Sequence, residues 1–174
     1  MGDSIITIIA IFLAAILMFI FPLMALSERS DDISQLSVQT ATAEFVDDIR
    51  ATGKLTLEKY EKYLSTLTAT GNSFDVEMQI QKLDENPGVK VTQGQKDKIG
   101  ENIYYSVYTS QIMEDLQANK VMKLKEGDIV SVTVKNTNKT ISQLLRNFFY
   151  RVTGNDSSTI GASNGGIVTV NGRN

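Results

Sequence analysis

Cysteine, histidine and tryptophan are all absent from this 174-residue chain, and proline occurs only twice. Without Cys there is no disulfide, no lipid attachment at a lipoprotein cysteine and no thiol nucleophile. Without Cys or His there is no zinc site of the usual kind and no imidazole to shuttle protons. Positive charge is also scarce as a pattern. The formal net charge is −3, and Lys and Arg are scattered, so no basic stripe points to nucleic acid. Carboxylates, Lys, Tyr and Ser/Thr are all that remain for chemistry.

Charge is missing altogether from one stretch, Ile5 to Leu26, which holds a single proline, Pro22. As a helix this run would rise about 33 Å, enough to cross the hydrocarbon core of a bilayer. A cleaved secretory signal fits less well. Met1-Gly2-Asp3-Ser4 offers no positive charge, and the run is longer than the apolar core of a signal peptide, although Ala25-Leu26-Ser27 has the small residues of a cleavage site. A retained helix is expected, with Asp3 as the acidic group at its positive end. Its membrane or assembly residues are taken as Ile9, Ala10, Leu13, Ala14, Ile16, Leu17, Phe19, Ile20 and Pro22. Pro22 either kinks or unwinds the helix or marks the membrane exit. The following flank, Glu28, Arg29, Asp31 and Asp32, has no positive excess. The expected orientation is therefore N-terminus inside and head outside.

The remainder, about 148 residues, is the size of one domain. Three parts are expected: an apolar helix over 1–27, an amphipathic extension over 28–52 and a head over 53–174. In the extension, Val38, Ala41, Phe45 and Ile49 recur at helical spacing, with Ile33 and Leu36 before them. Gln35, Gln39, Glu44, Asp47 and Asp48 form the polar face, and Gly53 ends the helix. A second helix, capped by Thr56, presents Leu57, Tyr60, Leu64 and Leu67 and stops at Gly71.

Phe74 to Gln81 alternates apolar and polar, which predicts a strand with one wet face. A turn at Asn86-Pro87-Gly88, a short strand at Val89 and Val91 and a loop from Thr92 to Asn102 follow. Ile103 to Thr109 reads as strand or helix, and a helix runs on to about Ala118. Lys125-Glu126-Gly127-Asp128 turns into a strand, Ile129 to Lys135. Thr140-Ile141-Ser142-Gln143 fits a capping box. It opens a helix whose face Ile141, Leu144, Leu145, Phe148, Phe149 and Val152 is expected to pack across the sheet. Asn164-Gly165 suggests a hairpin between Thr159-Ile160 and Ile167–Val170. The expected fold is α+β, a long N-terminal hydrophobic helix followed by a small antiparallel sheet domain with packed helices. Its head core is taken as Phe45, Leu64, Leu67, Val76, Val132, Leu144 and Phe148.

No catalytic or metal constellation stands out. Asp84-Glu85-Asn86 lacks the alternating ligands of a calcium loop. Tyr104, Tyr105 and Tyr108 are a sugar platform or, more commonly, sheet aromatics. No Lys-Ser/Thr follows the glycines between Gly161 and Gly166, so they are not a phosphate loop. An enzyme using carboxylates or Ser/Lys ranks last.

The plan resembles type IV pilin-like proteins, especially the TadE-like pseudopilins of Gram-positive bacteria. The resemblance rests on the uncharged Ile5–Leu26 run, on Pro22, on the extension "SVQTATAEFVDDIRATGKLT" and on the helix-then-sheet order. It is carried mainly by residues 1–80, where "EKYEKYLSTLTATGNSFDVEM" also looks like proteins associated with such systems. In that family a basic leader and a Gly cleavage site precede a Glu at the fifth mature position. Gly2 here leaves almost no leader and Thr7 stands at the fifth position. The resemblance implies a structural subunit of a surface filament or secretion-type apparatus. Its partners would be the membrane and copies of itself or other pilin-like subunits, without a cofactor, a small-molecule substrate or nucleic acid. It would reside in the cell membrane as a single pass or in an extracellular filament. The alternative is a single-pass, membrane-anchored extracellular binding module of a transport, sensory or conjugation complex.

Overall fold

The computed structural model describes residues 2–84, 104–150 and 159–172. The expected turn at Asn86-Pro87-Gly88, the strand at Val89 and Val91, the loop from Thr92 to Asn102, Glu85 and Val152 lie outside the described residues. So do the side chains of Phe148, Phe149 and Tyr150.

A single helix, α1, runs from Gly2 to Thr52 over 51 residues, so the apolar run and the amphipathic extension are one element. It continues through Pro22 without local unwinding. Gly53 ends it in the left-handed region at φ 62°, where its N–H still reaches the Ile49 carbonyl at 2.8 Å. Next come β1 (Lys54–Thr56) and α2 (Leu57–Thr68). As expected, the Thr56 side chain caps α2 by accepting from the Lys59 N–H at 3.2 Å. Then follow β2 (Phe74–Leu83), β3 (Tyr104–Tyr108), α3 (Thr109–Asn119), β4 (Val121–Lys123), β5 (Ile129–Asn136), α4 (Ile141–Tyr150) and β6 (Gly161–Ile167). Of the segment expected as strand or helix, Ile103 lies outside the described residues, and Tyr104–Thr109 is a strand that turns directly into a helix.

The main sheet is antiparallel in the order β3-β2-β5-β6, and β1 pairs with β4 in a second, two-stranded sheet. The alternation in β2 and β5 sets the register. Val76, Met78 and Ile80 stand opposite Val134, Val132 and Val130. All six are buried on one face, while Asp75 and Glu77 are exposed on the other. The second half of α1 covers the apolar face with Val38, Ala41, Phe45, Val46 and Ile49. Leu67 from α2 and Ile112 and Leu116 from α3 complete the core.

The hairpin expected at Asn164-Gly165 does not form. Both residues lie inside β6, opposite Val132 and Ser131 of β5. The glycines serve close approach rather than a turn. A Cβ on Gly161 would stand 2.7 Å from the Val134 carbonyl oxygen, and one on Gly166 would stand 2.5 Å from the Arg50 side chain.

Of the expected head core, Phe45, Leu67, Val76 and Val132 are buried and Leu64 packs against the core partly exposed. Leu144 is corrected, being 53% exposed. Ile33 and Leu36 are likewise outside the core, at 60% and 64% exposure. The buried stripe of α1 begins instead with Ser34 and Val38.

Candidate membrane helix and its junction with the head

None of the most apolar 18-residue window of α1 is buried by the rest of the chain. Ile9, Ala10, Leu13, Ala14, Leu17, Phe19 and Pro22 are exposed, and Ile16 and Ile20 are only partly covered. Each large side chain of this kind is stabilised by roughly 1.5–3 kcal/mol when removed from water. A bare cylinder of them is therefore compatible with membrane anchoring and not with isolation in water. Its one internal hydroxyl is already satisfied, because Thr7 Oγ1 donates to the Asp3 carbonyl at 2.7 Å. Asp3 lies in the first turn of α1, at the end where the helix dipole is positive.

The head grips α1 just past this run. Arg146 of α4 donates to Glu28 Oε1 through Nε at 3.0 Å and Nη2 at 2.7 Å. One turn along α1, Thr140 Oγ1 donates to Asp31 Oδ2 at 2.7 Å. One further turn along, the Gln35 amide pairs with the backbone of Gly161, donating at 2.6 Å and accepting at 2.9 Å. At the far end Arg50 Nε donates to the Ile167 carbonyl at 3.0 Å. From Gln35 to Arg50 the helix rises about 22 Å, and from Gly161 to Ile167 the strand advances about 20 Å. Strand β6 and the second half of α1 thus run side by side and are clasped at both ends.

The capping box expected at the start of α4 is present. The Thr140 hydroxyl accepts from the Gln143 N–H at 3.3 Å, and the Gln143 side chain accepts from the Thr140 N–H at 3.3 Å. Its partner is not the one expected. Through Thr140 and Arg146, α4 meets α1 rather than the sheet, and Ile141 and Leu144 are left exposed. The capping pattern marks Thr140. Nothing in the sequence connects Glu28, Asp31 or Gln35 to partners more than a hundred residues away.

Between α1 and α2, the Phe45 and Tyr63 rings stack at 4.3 Å with planes 2° apart. The Tyr63 hydroxyl lies 2.9 Å from Thr42 Oγ1. Burial, with Tyr60 adding to it, pushes the Tyr63 phenol up to about 12, and the Thr42 hydrogen bond pulls the other way. Burial, and then the Asp75 carboxylate, raise Tyr60 as well. Beside these rings runs a groove of about 600 Å³ lined by Phe45, Asp48, Lys59, Lys62 and Tyr63. Lys59 is paired with Asp48 at 2.8 Å.

The three tyrosines of β3 do not share a face. Tyr104 and Tyr108 stand opposite Leu83 and Gln79, whereas Tyr105 stands opposite Lys82 on the other side. Among the described residues no three acidic side chains converge on a metal site. No family model matches this chain, and no curated protein or solved structure matches it either.

Proposed function

We propose that this chain is a structural subunit of the pilin or pseudopilin kind. It would be held in the cell membrane by Ile5–Leu26 with its head outside, and would assemble with its own copies through α1. One observation carries this reading. Ile33 and Leu36 remain exposed on α1 beyond the apolar run. They lie about 10 Å and 15 Å past Leu26, and the interfacial layer of a bilayer is only about 5–8 Å deep on each side. Lipid does not cover Leu36, and the head covers the other side of the helix. A neighbouring α1 supplies an apolar partner for both residues. Small side chains at Ala10, Ala14 and Ala15 suit the same contact lower down, where close packing rather than dehydration has to drive association.

The absence of native cysteine makes the test direct. Leu36→Cys, oxidised in intact membranes, is expected to give disulfide-linked multimers, and Glu58→Cys on the exposed side of α2 is expected to remain monomeric. A monomer-only pattern for Leu36→Cys at native expression would sink the assembly reading. Ala14→Lys is expected to abolish assembly while leaving the head folded.

The groove beside Phe45 and Tyr63 favours a second reading, a tethered binding module. Residues 28–174 on an unrelated anchor would retain full function under that reading and lose it under the first.

A further inference from the structure

Helix α4 carries two apolar side chains, Ile141 and Leu144, that the head leaves exposed. Ile141 is 61% and Leu144 53% exposed, although the pattern Ile141, Leu144, Leu145, Phe148, Phe149 is that of a helix built to bury one side. The opposite ridge is polar and occupied. Ser142 and Gln143 are buried, Thr140 is bonded to Asp31 and Arg146 to Glu28.

Those two bonds fix where α4 sits. Glu28 and Asp31 lie about 3 Å and about 7–8 Å beyond Leu26 along α1, within the roughly 5–8 Å interfacial layer that flanks the hydrocarbon core. They also fix its direction. The start of α4 touches Asp31 and a residue nearly two turns later touches Glu28, so α4 runs back toward the apolar run. Lys139, exposed just before the helix, stands on the side away from the run, where phosphate headgroups lie.

We propose that α4 is an interfacial helix, with the Ile141–Leu144 face seated at the headgroup–acyl boundary of the membrane that α1 crosses. The proposal rests on the membrane-spanning reading of Ile5–Leu26. Seated there, α4 is a second point of contact beside α1 and sets both the depth of Leu26 and the tilt of the head. The Glu28–Arg146 and Asp31–Thr140 bonds transmit that setting to α1. They are also shielded by the layer in which they lie, so they count for more there than in open water.

The chain has no tryptophan, so a single introduced Trp reports its own surroundings. Full-length Leu144→Trp, Ile141→Trp, Phe12→Trp and Thr66→Trp are reconstituted into phosphatidylcholine vesicles at about one chain per vesicle. Nitroxide lipids labelled near the headgroup end or near the methyl end of the acyl chain serve as quenchers. Trp at 144 and 141 is expected to emit at shorter wavelength than Trp at 66 in the same vesicles and to be quenched by the shallow label. Trp at 12 is expected to be quenched by the deep label, and Trp at 66 by neither. Quenching of 12 without 141 or 144 overturns the α4 proposal and leaves the span intact. Failure to quench 12 overturns the span itself. A blue shift at 144 or 141 that appears only at high protein density assigns the face to a second copy and equally overturns the proposal.

Discussion

Tyr63 shows how one side chain ties the extension of α1 to the head. Its ring stacks on Phe45, its hydroxyl meets Thr42, and its phenol is held neutral up to about 12. The ordinary tyrosine value is 10.0. Between these values the unfolded chain sheds the proton that the folded chain keeps, so the contribution of Tyr63 to stability is complete below about pH 10 and falls as pH rises toward about 12. Tyr60, raised in the same direction, adds to the decline. In Tyr63→Phe the thermal midpoint is expected to fall less steeply over this window than in the wild type. Identical slopes in a pH series of melts would refute the assignment. This coupling was hidden from sequence because Tyr63 falls one residue outside the stripe of Leu57, Tyr60, Leu64 and Leu67. The tilt of α2 on α1 buries Tyr63 and leaves Leu64 part-exposed.

Strand β6 is the element in which local sequence is least informative. Three glycines and an Asn-Gly pair read as a turn, yet the segment is a strand paired along its length with β5. The lack of side chains permits two close approaches at once, by the β5 backbone and by Arg50 of α1. Turn chemistry is a local preference, and here packing on both sides outweighs it. The Gln35 amide, bonded twice to Gly161, is then a clamp on this strand rather than part of a wet face. Gln35→Ala removes both partly buried bonds and is expected to cost about 1–3 kcal/mol, read as a lower midpoint in denaturant. Gln39→Ala, at an exposed position on the same helix, is expected to change stability by less than about 0.5 kcal/mol. Equal effects would show that the clamp contributes nothing.

Taken whole, the molecule is one helix with two unlike halves, one uncovered and apolar and one packed into the head. None of the most apolar window of its first half is buried, and its second half is the centre of the head's core. The two halves are thermodynamically separable, because removing the first deletes no buried side chain. Residues 27–174 alone are therefore expected to be soluble and to unfold in a single cooperative transition by circular dichroism. Loss of that transition would mean that the apolar run also supports the head. The reverse cut, ending the chain at Thr52, leaves Val38, Phe45, Val46 and Ile49 without partners and is expected to aggregate.

What the sequence determined by itself was periodicity and its breaks. The uncharged run, the alternation in β2 and β5, the Gly53 stop, the Thr56 cap and the Thr140 box are all written within a few residues, where backbone geometry and local hydrogen bonds decide the outcome. The α+β class follows from them. Only the tertiary structure decided which faces meet. It placed Ser34 rather than Ile33 and Leu36 toward the head beside the expected Val38, turned α4 onto α1 through Arg146 and Thr140, and left Leu144 bare. An amphipathic pattern states that a face must be covered, and it carries no information on what covers it. That choice depends on contacts between residues more than a hundred positions apart, and for Leu36 and Leu144 it reaches beyond the chain to the copy and the lipid proposed to cover them.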